Sequence, residues 1–295
     1  MINTKIFVSS SCIKSRSIEE SVKCIAENEI KNIELSGGTH LQKNYINKLI
    51  KLKKKYNLNY LVHNYFPPPK KHFLLNIASC DSKIYSKTIK FYKNTIDLCA
   101  ELKVPYFGMH AGYLIDFSIK KLNKKIPKVK LYNREKSEEK LVEGYNLLKD
   151  YSKSRVKIFL ENNVLSKANL ESYGTNPFFL TTYEDYVYLK KKFNFNILLD
   201  LAHLNVSSKS LKKSYSDQIK KFKSFVKYIH ISENNGYHDH NWALKKNSKI
   251  TKSLNQFKKA KYVTLEVYEE IKKVKKSELI ALKMLNSSKR LNDNS

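Results

Sequence analysis

Seven short apolar runs in this chain end in an ionisable side chain: Glu34, His63, His110, Glu161, Asp200, His230 and Glu266. His203 follows Asp200 by three residues, and the stretch after His230 carries His238, Asp239 and His240. Six of the eight histidines fall in this set; only His40 and His72 lie outside it. Carboxylates and imidazoles gathered in one place repel one another or lose hydration unless a cation sits among them. A divalent metal satisfies both kinds of group, so the pattern points to metal chemistry. Mixed Asp, Glu and His donors suit Mn²⁺, Co²⁺ or Zn²⁺, with donors enough for more than one ion.

Each residue alone says little. A single strand histidine is more often a hydrogen-bonded core residue than a ligand. A Glu that ends an apolar strand is often only solvated at a rim; Glu34 and Glu233 fit that description, or that of partners behind the ligands. Joint placement is what separates the set from chance, and it depends on the elements that carry it.

Eight apolar runs read as buried parallel strands: Lys5–Ser11, Asn32–Gly38, Asn59–Phe66, Tyr106–Tyr113, Lys157–Val164, Asn196–His203, Tyr228–Asn235 and Tyr262–Tyr268. Amphipathic helical patterns lie between them. Ser17–Asn28 opens with Ser17 and places Glu20 three residues on, a capping box. Tyr85–Lys103 puts Ile89, Tyr92, Ile96, Cys99 and Leu102 on one face. Glu138–Tyr151, Thr182–Lys192, Tyr215–Val226 and Glu269–Leu285 behave alike. Strand and helix repeated eight times in 295 residues predict a single (β/α)8 barrel over residues 1–286, with a polar, disordered tail over 287–295. The ends of such strands converge on one mouth, where barrel active sites sit. Two long connections, Pro67–Ser82 and Leu114–Lys136, leave from that face and are expected to cover a substrate.

Composition bounds the rest. Hydrophobic residues make up 41%, enough for a sizeable core, and no apolar run approaches a bilayer span. The first residues show no signal-peptide pattern, and the four Cys have no CxxC spacing. A cytoplasmic protein with reduced thiols and no membrane partner is expected. The net charge of +29 suggests nucleic acid, but the basic residues are almost all Lys; the only arginines are Arg16, Arg134, Arg155 and Arg290. Lys, Asn, Ile and Tyr share AT-rich codons, and the lysines are spread along the whole chain. Genome bias therefore accounts for much of the charge, and nucleic acid stands second to a small-molecule carbohydrate as partner. Lys120, Lys121, Lys124 or Arg134 on the loop after the fourth strand could meet a substrate phosphate.

These residues carry a family resemblance. HNYFPPP (His63–Pro69), NIAS (Asn76–Ser79), MHAGY (Met109–Tyr113), LENN (Leu160–Asn163), LDLAH (Leu199–His203), HISENNG (His230–Gly236) and LEV (Leu265–Val267) resemble the xylose isomerase-like TIM-barrel superfamily over about residues 5–270. That superfamily holds sugar and sugar-phosphate isomerases and epimerases, and also endonuclease IV. Similarity to the epimerase branch implies one divalent metal on Glu161, Asp200, His230 and Glu266, with His203 binding substrate. It also implies that Glu161 and Glu266 take and return a proton beside a carbonyl, through an enediolate. His63, His110, His203, His238 and His240 stand as second-metal or substrate residues. The alternative is an endonuclease IV-like zinc phosphodiesterase acting on abasic DNA. There the chain departs at one place: an Asp is expected two residues before the last loop histidine, and His238 occupies it.

Overall fold

The structure is a computed structural model and describes residues 4–121 and 124–287. Eight strands pair in parallel in chain order: β1 (Lys5–Ser9), β2 (Asn32–Leu35), β3 (Asn59–His63), β4 (Tyr106–His110), β5 (Lys157–Glu161), β6 (Asn196–Asp200), β7 (Tyr228–Ile231) and β8 (Tyr262–Leu265). β8 returns to pair with β1, so the sheet closes into the expected (β/α)8 barrel. Around it run α1 (Ile18–Glu27), α2 (Tyr45–Tyr56), α3 (Ser82–Glu101), α4 (Arg134–Ser152), α5 (Lys167–Tyr173), α6 (Tyr183–Lys192), α7 (Leu201–Ser210), α8 (Tyr215–Phe222), α9 (Lys249–Ser253) and α10 (Ile271–Ser287). The expected tail overlaps α10 at Ser287, and its remainder, 288–295, lies outside the described residues. Among the described residues, no helix is long and apolar enough to cross a membrane.

Four strands start on an exposed polar residue (Lys5, Asn59, Lys157 and Asn196) and are buried from the next residue on. That is the pattern of a strand covered on both faces. Side chains two apart share a face, and one face looks into the barrel. Phe7, Leu61, Tyr106, Phe159, Leu198 and Tyr228 form their own cluster there, apart from the larger core against the helices. Tyr106 and Phe159 rings meet at 4.5 Å and Phe159 stands edge-on to Tyr228 at 5.4 Å. Two residues after each of Leu61, Phe159, Leu198 and Tyr228 come His63, Glu161, Asp200 and His230. The apolar plug is thus the floor on which the ionisable layer stands. Gly108 lies in β4 beside that layer: a Cβ there would meet Leu198 Cδ2 at 2.7 Å and His63 Cδ2 at 3.0 Å.

Ser17 and Glu20 form the expected capping box on α1. Sequence periodicity misses α2, α5, α7 and α9. In α2 only Leu49 is fully buried, among five lysines' worth of polar spacing in YINKLIKLKKKY. In α7 almost every residue is buried, so no polar face marks the period. The sixth strand ends at Asp200 rather than His203, because Asp200 caps α7: its Oδ1 accepts from the His203 N–H at 2.7 Å.

Asn76 makes most of the side-chain hydrogen bonds between the loops after β3 and β4, with Ser79 Oγ adding one to Asp116 Oδ2 at 2.6 Å. Asn76 is fully buried. Its amide donates to the carbonyls of Tyr113 (3.1 Å) and Ile115 (3.2 Å) and to Asp116 Oδ1 (2.7 Å). Its oxygen accepts from the N–H groups of Ala78 (3.1 Å) and Tyr113 (2.9 Å). Asn76→Ala would strand several buried groups at about 1–3 kcal/mol each. The expected loss is at least about 3 kcal/mol in denaturant unfolding, and a loss under about 1 kcal/mol would show that the loops are held by other contacts.

Candidate metal centre and active-site cavity

Register brings the ionisable groups together. Asp200 pairs with His230 across β6 and β7, and His110 with Glu161 across β4 and β5. Glu161, Asp200, His230 and Glu266 each offer one ligand atom, and these atoms lie within 4.8 Å of one another. His63, His110 and Glu161 form a second such group, and Glu34, His63, His230 and Glu266 a third. Glu34, Glu161, Asp200 and His230 have no solvent exposure.

Each member is held by its neighbours. His230 Nδ1 lies 3.6 Å from both Glu161 Oε1 and Glu266 Oε2, while Nε2 lies 2.9 Å from Glu34 Oε1. Glu34 Oε2 accepts from the Tyr228 hydroxyl and from Thr264 Oγ1 at 2.9 Å. Glu34 therefore turns the His230 ring so that Nδ1 faces the cluster, the arrangement by which carboxylates orient metal-binding imidazoles. His63 Nε2 meets Glu161 Oε2 at 2.7 Å, and His110 Nδ1 lies 3.2 Å from the same oxygen. His203 Nδ1 sits 2.8 Å from the Asn162 carbonyl, leaving Nε2 3.4 Å from Asp239 Oδ2.

Charge follows from this packing. Burial alone would push the Glu161 carboxyl up, but His110, His63 and His230 outweigh it and hold it well below the usual carboxylate range. Burial of Glu266 is likewise overcome, chiefly by His230 and then His63, and its carboxyl falls below its ordinary value. Asp200 goes the other way: burial, helped by Glu161, Asp239 and Glu266, raises it to about 6 despite His203. Burial opposes charge on His230 and His203, yet Glu34 and Glu266 beside the first, and Asp200 and Asp239 beside the second, lift both well above the usual imidazole value. Burial lowers His110 to about 4. Without another cation, His63 and His230, both raised above the usual imidazole value, carry the positive charge beside the two buried glutamates, while His110 stays neutral.

The donor set fits a divalent metal. Glu161 Oε1, Asp200 Oδ2 and His230 Nδ1 are buried and have no hydrogen-bond partner, which is rare for buried polar atoms. These three residues, with Glu266, are the four whose ligand atoms converge. Three carboxylates and one imidazole are the hard-to-borderline donors of Mn²⁺, Co²⁺ or Zn²⁺.

Above the cluster opens a cavity of about 630 Å³. His63, His110, Glu161, His203, His238 and Glu266 line it. His238 is exposed and sits at its edge. His240 stacks its ring on Trp242 with centroids 4.0 Å apart and is not among the lining side chains. Sequence reading also undervalued Asp239, which faces His203 and leaves Oδ1 buried without a partner. Its loop has no period, so no sequence signal told it from its neighbours. Glu233 belongs elsewhere, accepting from Ser248 and from Thr251 Oγ1 at 2.7 Å. Of the basic residues considered for a phosphate, Lys124 lines the cavity, whereas Arg134 pairs with Glu138 at 3.2 Å.

A closed parallel barrel with its acids and imidazoles at the C-terminal ends of the strands has the architecture of a TIM-barrel enzyme. The profile of the xylose isomerase-like TIM barrel family matches residues 24–288, and the chain belongs to that family. No curated protein matches the sequence significantly. A solved D-tagatose 3-epimerase-like protein is 20% identical with a TM-score of 0.73, covering 97% of this chain and 99% of that one. An L-ribulose 3-epimerase is 16% identical, TM-score 0.64, covering 94% of this chain and 86% of its own. The 3-keto-D-glucoside 4-epimerase of E. coli is 12% identical, TM-score 0.65, covering 96% of this chain and 100% of its own. At these identities the likeness is one of fold.

Proposed function

We propose that the protein is a metal-dependent sugar or sugar-phosphate isomerase or epimerase that moves a proton next to a carbonyl through an enediolate. One observation carries this reading. Two carboxylates, Glu161 at the end of β5 and Glu266 just after β8, reach the same cluster from separate parts of the barrel rim. Two bases about one carbon are what proton removal on one face and return on the other require. The names of the solved structures with this fold are in keeping with it. All four cysteines are free, which suits the cytoplasm.

The residues take distinct parts. Glu161, Asp200, His230 and Glu266 would hold the ion, which supplies Lewis acidity to the substrate carbonyl. His63 hydrogen-bonds Glu161 Oε2, with His110 Nδ1 3.2 Å from the same oxygen, while Oε1 has no hydrogen-bond partner. His203, fixed through Nδ1 by the Asn162 carbonyl, presents Nε2 to a sugar hydroxyl, and Asp239 steadies it. The test is turnover of keto sugars in deuterated water. Deuterium should enter at the carbon beside the carbonyl as the epimer forms. Stereochemical change without deuterium would overturn the proton-transfer step. A second reading rests on the group formed by His63, His110 and Glu161, which offers donors for another ion and hence for phosphodiester hydrolysis. Nicking of an abasic duplex without sugar turnover would establish it instead.

A further inference from the structure

We propose that the substrate is a keto sugar bearing an aryl substituent, and that the loop after β4 builds the wall that receives it. This inference rests on the proton-transfer reading above. The cavity of about 630 Å³ lies in the range of drug-sized ligands, beyond what one sugar ring requires. Its lining is of two kinds. One is the ionisable cluster. The other is an apolar group, Leu74, Tyr113, Phe117, Ile119, Ile126 and Phe178, which pack against one another.

That wall is a structure in its own right. Leu74, Tyr113, Ile115, Ile126, Leu165 and Phe178 form a cluster apart from the main core, with Phe117 and Ile119 half-buried against it. Phe117 and Phe178 each stand edge-on to Tyr113 with centroids 5.4 Å apart. The wall is fixed before any ligand arrives: Tyr113 bridges Phe178, the Leu114 N–H donates to the Pro177 carbonyl at 2.8 Å, and the Ile126 N–H donates to Asn169 Oδ1 at 2.9 Å. A bare sugar carries hydroxyls on every side, and these side chains offer almost no hydrogen bond to meet them. Ring edges and half-covered apolar faces suit a flat apolar group. Lys124 and Lys125 also reach the cavity but are exposed, so a phosphate there would stay in water.

The test compares three ligands on the metal-loaded full chain by calorimetry: a keto hexose, its 6-O-phenyl ether and its 6-phosphate ester, all of which keep the carbonyl. The phenyl ether should bind about 10- to 100-fold more tightly than the free hexose, as burial of one aromatic ring implies. Phe117→Ser and, separately, Ile119→Ser should bring that ratio toward one at unchanged metal content and melting temperature. Equal binding of the hexose and its phenyl ether would overturn the proposal. So would a ratio that neither substitution moves, or a preference for the phosphate ester. Deuterium exchange on the same sugars is read separately. Tight phenyl ether binding without exchange would sink the proton-transfer reading and leave the apolar subsite standing.

Discussion

Glu161→Gln and Glu266→Gln are each expected to lower keto-sugar turnover at least ~10²-fold, the lower end for a positioned general base. Gln keeps the shape of Glu and removes the proton acceptor. Both carboxyls lie below their ordinary values, so both are ionised at neutral pH and ready to accept. Glu161 Oε2 already faces His63 and His110. A two-base mechanism makes a sharper prediction than rate loss alone. Each single variant should still exchange solvent deuterium into one epimer while failing to convert it to the other. Exchange into both epimers, or turnover within threefold of the parent, would take the two acids out of the chemistry. Metal content and a thermal melt, measured on the same samples, separate a lost base from a lost fold.

How far the sequence reveals this site depends on what each residue shares with its neighbours. The strands were legible because parallel strands covered on both faces leave continuous apolar runs, as in Lys157–Glu161 and Asn196–Asp200. Glu161 and Asp200 were legible because each follows an interior-facing residue by two, Phe159 and Leu198, and so shares its face. Glu34 also lies near the end of an apolar run, but its role depends on contacts with Tyr228, Thr264 and His230, which come from strands far along the chain. Spacing cannot show such contacts. Asp239 and His240 are adjacent in one loop, and only the course of that loop sends one to His203 and the other to Trp242. Helix α7 escaped notice because burial on all sides erases the polar stripe that marks a period.

Stripping the metal should abolish turnover and lower the melting temperature, and Mn²⁺, Co²⁺ or Zn²⁺ should restore both. Glu161 Oε1, Asp200 Oδ2 and His230 Nδ1 are buried without partners, so an ion adds bonds to groups that otherwise have none. A ligand at about 100 times its Kd stabilises the folded state by about 2.7 kcal/mol. At about 2–4 °C per kcal/mol for chains of a few hundred residues, a shift of about 5 °C or more is expected. The pH dependence has a definite sign. Coordination needs Asp200 ionised, and its carboxyl titrates at about 6 before an ion binds. Below that value protons compete with the ion, and affinity should fall by up to about tenfold per pH unit from this group alone. The metal-dependent rise in melting temperature should therefore shrink as the pH falls through about 6, and because His230, lifted well above the usual imidazole value, must also lose its proton to bind, the rise should still be growing through neutral pH. Glu34→Gln leaves the four ligand residues intact and loosens the hold on the His230 ring, so it should weaken metal binding about 10- to 100-fold. A chain that melts at the same temperature with and without added metal across this pH range has no such centre. An unchanged affinity in Glu34→Gln would mean instead that His230 is oriented without it.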